Sequence, residues 1–395
     1  MLFGDGQDAQ TSRTQANVCA ELLFVQNRSR DFGGRMKDDV STTVPGQGHD
    51  YYASISYWNH FPLVYRRLNR RATGDEDKFW YQSLLDEGYH FRRALILNCG
   101  NGWVERELFR IGLLDSAVGI DISPELLGQA RIEASELNLQ VEYVEIDINV
   151  EDLPEGPFDL VLNHAACHHI ASLDRVLRQI SESLSPTGLF VNWDYVGPHR
   201  NQYTAQQWEA AWETNRRLPV ALQSGMQYPD IDTMLLHDPT EAVHSELIVP
   251  TVERYFDINL YRPLGGAIGY LVLTHNMPFY SLPEEKVIDH VRYVMDADED
   301  FLALHPEASL FAYFIGQPKS TKASAVDLSS WTAEEMSREQ NAMSTSGEYY
   351  DRTFLHHVLK QQSVHDVDQL SWQRTLAKRF PRLADAYHIA RTRLP

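Results

Sequence analysis

The chain has 395 residues, of which 43% are hydrophobic and 23% charged, the balance of an ordinary globular protein and not of a disordered or collagen-like one. Its formal net charge of −20 opposes phosphate backbones and anionic lipid, so nucleic-acid and membrane partners are not expected. There is no uninterrupted apolar run of about eighteen residues and no basic-then-apolar N-terminal leader, and the three cysteines (Cys19, Cys99, Cys167) are too far apart for a disulfide framework or a paired-cysteine metal site, which together predict a cytoplasmic protein.

Taken in chain order, residues 1–50 are rich in small and polar types and predict a loosely ordered arm. Residues 51–93 crowd aromatics, among them Tyr57, Trp58 and Trp80, around helically spaced Val64, Leu68 and Leu84, and predict a helical cap. From Ala94 the pattern changes to short apolar runs separated by amphipathic stretches, which predicts β-α-β units and a parallel sheet. The predicted strands are Ala94–Asn98, Ala117–Asp121, Val141–Glu145, Phe158–Asn163 and Leu189–Tyr195. The predicted helices between them are Trp103–Ile111, Pro124–Leu137, which opens with Ser123 as N-cap and Pro124 in its first turn, and Ser172–Leu184. Residues 196–253 are too long for a plain connection and predict a lid, with a helix at Thr204–Arg216. Phe256–Arg262 and Ser309–Ile315 complete a seven-stranded, Rossmann-like α/β sheet whose last strand is antiparallel. A linker and C-terminal helices over 319–395, one opening with the capping box Thr332-Ala-Glu-Glu335, finish the chain.

The first strand runs into Cys99-Gly100-Asn101-Gly102 and then a helix, a geometry that turns backbone N–H groups toward a ligand. About twenty residues on, the second strand ends in Asp121-Ile122, where a carboxylate meets ribose hydroxyls. Glu105 stands where a dinucleotide loop carries its third glycine and would repel a pyrophosphate, so a cationic ligand without phosphates suits the loop better. The third strand ends in Asp147-Ile148, placed for an adenine amine, and the fourth in Asn163-His164. The adjacent pairs His168/His169 and His356/His357 are not expected to make a metal ligand set alone, because neighbouring residues on a helix point apart.

These residues resemble the class I S-adenosylmethionine (SAM)-dependent methyltransferases. Leu97-Asn-Cys-Gly-Asn-Gly102 is similar to their first motif, Gly119-Ile-Asp-Ile-Ser123 to their second, and Ala166-Cys-His-His-Ile170 to their fourth-strand exit. A subgroup of bacterial small-molecule methyltransferases carries text similar to Asp194-Tyr-Val-Gly-Pro198, to Arg200-Asn-Gln202, to His237-Asp-Pro-Thr-Glu-Ala-Val243 and to Gly265-Gly266. In that subgroup Glu and Phe stand where this chain has Asp194 and Asn201. The resemblance covers residues 55–318 and implies SAM as cofactor and a small-molecule acceptor. It implies cofactor contacts at Cys99, Gly100, Asn101, Gly102, Asp121, Ile122, Asp147, Ile148, Asn163, His164 and Tyr57. The candidate catalytic residues at the strand ends are Asp194, Tyr195 and His168, with His199 and Tyr203 behind them. Asp194 is alternatively a cap or a partner of Arg200, and the aromatics Tyr57, Trp58, Tyr195 and Tyr203 are candidates to face a sulfonium. Two other functions remain open at this stage: a SAM-using enzyme that cyclises the cofactor to azetidine-2-carboxylate and methylthioadenosine, and a SAM-binding protein without turnover.

Overall fold

The computed structural model describes residues 57–320. The expected N-terminal arm, residues 51–56 of the cap, the helices after 320 with their capping box, and the His356/His357 pair lie outside the described residues. The sheet contains β1 (Ala94–Leu97), β2 (Ala117–Asp121), β3 (Val141–Glu145), β4 (Phe158–His164), β5 (Leu184–Tyr195), β6 (Phe256–Gly265) and β7 (Phe311–Pro318) in the order β3-β2-β1-β4-β5-β7-β6. The first five strands run parallel, and β7 is antiparallel to both β5 and β6.

Strand residues alternate between two cores, because successive side chains leave opposite faces of a sheet. Ile96, Leu160, Leu162, Leu189 and Val191 enter one core. That core is covered by α1 (Pro62–Thr73), α2 (Trp80–Asp86), α3 (Trp103–Arg110), α4 (Pro124–Glu136), α6 (Ala205–Arg216), α9 (Gly269–Leu273) and α11 (Glu284–Leu304). Leu95, Leu97, Val118, Ile120, Val161 and Phe190 enter the other, under α5 (Leu173–Ser183) and α8 (Ile248–Tyr255). The insertion between β5 and β6 carries α6, the short α7 (Ile231–His237) and α8, and α10 (Met277–Tyr280) lies between α9 and α11.

The predicted limits of β2 and β3 coincide with those observed. β1 stops one residue early because Asn98 adopts a positive φ of 41°, which starts the glycine loop. Ser123 caps α4 as expected, its hydroxyl accepting the Leu126 N–H at 3.3 Å. No described helix is long and apolar enough to cross a membrane. The strand order reverses between β1 and β4, and in such a sheet the carboxyl ends of those two strands open a crevice for a ligand.

Candidate functional site

The loop after β1 fills one side of that crevice. Gly100 and Gly102 take φ of +57° and +77°, a conformation that costs little only without a Cβ. A Cβ at Gly102 would stand 2.5 Å from the Tyr143 hydroxyl and 2.8 Å from Glu105, so the loop is packed from below as well. Asp121, buried at the end of β2, joins the loop to the next strand. One carboxylate oxygen accepts the Gly100 N–H at 2.8 Å, and the other accepts the Ser123 N–H at 2.9 Å. Burial raises its pKa, and those N–H groups offset the rise only in part. Ile122 next to it is 56% exposed, an apolar side chain presented to whatever occupies the crevice. Asn101 keeps a buried Oδ1 without a hydrogen-bond partner. Arg106 is tied to the Asn101 carbonyl and to Glu133.

The polar groups aimed at this side are therefore acceptors: Asp121, the free Asn101 Oδ1 and, beneath them, Glu105. That donor-poor set suits a ligand bearing hydroxyls, an ammonium and a sulfonium, and it suits SAM. Two predicted contacts do not reach the crevice through their side chains. Ile148 is buried in the core beneath α5, and the Cys99 thiol is buried against Gly119, so both can offer only backbone. Asp147 is half-buried and accepts the Asn149 N–H at 2.9 Å.

Burial pushes the Glu105 carboxyl up to about 7. The folded protein then holds that proton more tightly than the unfolded chain does, so stability is fully present below the ordinary value of 4.5 and is lost as pH rises through about 7. The expected loss is about 3 kcal/mol. Urea unfolding of E105Q between those pH values should lack this component, and a parallel pH dependence in E105Q and parent would refute it.

Across the crevice, β4 ends at His164, whose ring sits 5.2 Å from Trp103, 6.2 Å from Trp80 and 6.4 Å from Trp193 by ring centres. Burial lowers its pKa to about 4 and keeps it neutral. Asn163 is not a ligand-facing group, contrary to expectation. Its amide donates to Asn192 at 2.5 Å and to Asp194 at 2.8 Å, and its carbonyl accepts the Cys167 N–H, all within the protein interior.

Asp194 ends β5 fully buried and does not pair with Arg200. It takes the His168 ring, Nδ1 to Oδ1 at 2.6 Å, along with the backbone N–H groups of His168 and Tyr195. Burial would lower the His168 pKa, but the Asp194 carboxylate outweighs it and raises the value to about 9; Asp194 is lowered in return. Tyr195 is less suited to act as a base than expected. Its hydroxyl donates to the Pro198 carbonyl at 3.2 Å, and burial drives its pKa well above the ordinary phenol value. His199 is turned aside, its Nδ1 2.6 Å from the Val243 carbonyl. Tyr57 stacks edge-on to Tyr270 at 5.7 Å, and Tyr270 lies 6.2 Å from Tyr195, so these rings form one wall. Trp58 and Tyr203 are buried on the core side.

The expectation that His168 and His169 point apart is overturned. They sit in a short 3-10 turn, Cys167–His169, with ring centres 4.1 Å apart, and both Nε2 atoms face Glu241, at 3.7 and 3.8 Å. Glu241 was not among the predicted site residues, although its stretch, 237–243, is similar to subgroup text. It comes from the segment after α7, which Val243 ties to the His168 carbonyl at 3.1 Å. Arg200, buried and in a left-handed conformation (φ 51°), anchors the same segment. Its guanidinium donates to the carbonyls of Pro239 at 2.6 Å and Glu241 at 3.2 Å.

Residues 95–192 match the family described as a methyltransferase domain. The chain is 31% identical over 176 residues to an uncharacterized methyltransferase of Synechocystis sp., covering 40% of this chain and 78% of that protein. It is 26% identical to EEF1A lysine methyltransferase 4 of Mus musculus, over 38% of this chain and 63% of that one. It is 30% identical to the ubiquinone biosynthesis O-methyltransferase of Nitrosococcus oceani, over 25% and 41%. The chain thus spans less than two thirds of the second and third of these relatives. A strand order of 3-2-1-4-5-7-6, an acceptor-lined glycine loop and these relatives agree: the chain belongs to the class I SAM-dependent methyltransferases.

Proposed function

We propose that this enzyme methylates a small-molecule acceptor bound between the β4–β5 strand ends and the segment 238–243. The observation that carries the proposal is the roof over the acceptor side. Arg200 and Val243 bind that segment onto the turn holding His168, and a segment tied down there favours a small acceptor over a protein tail. The relatives named above include both a protein-lysine and a ubiquinone-pathway methyltransferase, and the roof favours the smaller kind of acceptor. The net charge of −20 disfavours nucleic acid. The same charge fits a cytoplasmic setting, with residues 51–93 as a cap and 94–318 as the catalytic unit with its lid at 196–253. The similarity of the stretch from Asp194 to Pro198 to bacterial small-molecule methyltransferases supports this reading.

SAM supplies an electrophilic methyl group. The protein's part is to orient both reactants and to exclude water. Asp121 would take the ribose hydroxyls, Asp147 the adenine amine, Ile122 the adenine face, and the loop Cys99 to Gly102, with the Asn101 Oδ1, the amino-acid end. His164, neutral among three tryptophans, and the Tyr57–Tyr270 wall are the groups that would face the sulfonium. Asp194 is a positioning residue: by holding Nδ1 of His168 it turns Nε2 toward the acceptor. Asn163 in turn holds Asp194.

The test is an incubation with SAM and a panel of hydroxylated and amino metabolites, read by mass spectrometry. S-adenosylhomocysteine with a product heavier by one methyl group is the expected outcome. Methylthioadenosine with a cyclic amino acid, formed without acceptor, would replace methyl transfer by cyclisation.

A further inference from the structure

We infer that His168, His169 and Glu241 form a binding site for a divalent transition-metal ion, which nothing in the family comparison assigns. Two imidazole nitrogens and one carboxylate oxygen lie within 4.8 Å of one another. What distinguishes the cluster from a chance meeting of polar groups is that each imidazole is held on its far nitrogen. His168 Nδ1 is bound by Asp194 at 2.6 Å. His169 Nδ1 lies 3.3 Å from the Thr240 hydroxyl, which also reaches Asp238 at 3.0 Å; with that hydroxyl donating to the carboxylate, its oxygen accepts from a ring protonated on Nδ1. With Nδ1 held in both rings, Nε2 is the nitrogen left to meet an ion, which at His168 displaces the Nε2 proton that Asp194 otherwise keeps there, and both Nε2 atoms face the same Glu241 carboxylate oxygen, at 3.7 and 3.8 Å. A carboxylate behind each ligating histidine, directly or through one hydroxyl, is how proteins orient imidazoles toward a metal.

Two histidines and one carboxylate suit Zn(II), Fe(II), Mn(II) or Co(II) better than Mg(II) or Ca(II). The separations of 3.7 and 3.8 Å need to close by only a few tenths of an ångström for a tetrahedral Zn(II) set. The side chains are reachable, being 11%, 32% and 28% exposed in chain order. Three protein ligands leave positions open on the ion, and the group that would fill them is an acceptor oxygen. The inferred acceptor class is therefore a hydroxylated molecule. That last step rests on the methyl-transfer proposal; the ion site itself does not.

The test uses the full chain freed of metal with EDTA. Co(II) is titrated by its visible absorption and Zn(II) by competition, with SAM affinity measured separately on each protein by calorimetry. One equivalent of Co(II) should bind. H169A and E241Q should each weaken binding at least about tenfold, and T240V by about tenfold through loss of the orienting hydroxyl. SAM affinity should stay unchanged, which also reports that the variants are folded. Parent protein that binds SAM but gives no Co(II) spectrum overturns the metal site and leaves methyl transfer standing. Variants that bind Co(II) as the parent does overturn it too, by placing the ion elsewhere. Parent protein that binds Co(II) but not SAM upholds the ion site and overturns the cofactor assignment instead.

Discussion

Replacing Asp121 with alanine is expected to weaken SAM binding by at least about a hundredfold, the equivalent of losing two hydrogen bonds to a charged acceptor at about 1.5–3 kcal/mol each. Each Asp121 oxygen already accepts one backbone N–H, from Gly100 or Ser123, and keeps a second lone pair for a ribose hydroxyl. The carboxylate thus has two tasks, and the alanine variant loses both. Leaving the Gly100 and Ser123 N–H groups without an acceptor should cost about 1–3 kcal/mol of stability as well. Asp121→Asn separates the two, since its amide oxygen retains one of the N–H groups while the charge is gone. The expected pattern is a large loss of SAM affinity in both variants by calorimetry, with a smaller drop in Tm for D121N. If D121N binds SAM within threefold of the parent, the ribose is not held at the end of β2.

The parts of this molecule that were readable from sequence are those where a local rule dictates the outcome. A parallel strand buried on both faces is written as an apolar run, which delimits Ala117–Asp121, while the edge strand Val141–Glu145 is marked by Val141, Tyr143 and Val144 interleaved with Glu142 and Glu145. The Ser123-Pro124 pair stated where α4 begins. At strand ends the rule weakens, because a ligand-facing and a core-facing residue differ only in the direction of one Cα–Cβ bond. Ile122 and Ile148 stand in like places after β2 and β3, yet one is 56% exposed and the other buried. Asn163 carried no mark of its internal hydrogen bonds, two of which depend on Asn192 and Asp194 arriving from the neighbouring strand.

The acceptor side was least legible, because its contacts join segments with no common periodicity. His168 and Glu241 meet only because the insertion after β5 folds back over the 3-10 turn. An arginine in a polar loop reads as a solvated charge, whereas Arg200 is buried and bonded to carbonyls 39 and 41 residues away. The written signal was the resemblance of 237–243 to related sequences, which marked the segment without saying what it touches.

Arg200→Lys should accordingly impair turnover while sparing SAM affinity. Both bonds to the Pro239 and Glu241 carbonyls leave one guanidinium nitrogen, Nη1, which stands one bond farther along the side chain than the lysine ammonium, so the shorter lysine cannot hold both. Losing one charged hydrogen bond at a buried site costs about 1.5–3 kcal/mol, and Arg200→Ala, which loses both, should cost about 3–5 kcal/mol. The backbone bond from Arg200 N–H to Ala242 at 2.8 Å survives in either variant, so the segment should loosen without being released. Its carbonyls belong to the residues that carry Glu241 over His168, so the expected kinetic signature is a fall in kcat of at least about tenfold from misplacement of the acceptor side. The cofactor loop at 98–102 and Asp121 share no hydrogen bond with Arg200 among those described, and SAM affinity should hold within a few fold. A Tm and a kcat for R200K indistinguishable from the parent's would mean that the roof over His168 is held by other contacts. A loss of SAM affinity equal to the loss of turnover would mean instead that the two sides of the crevice are not separable.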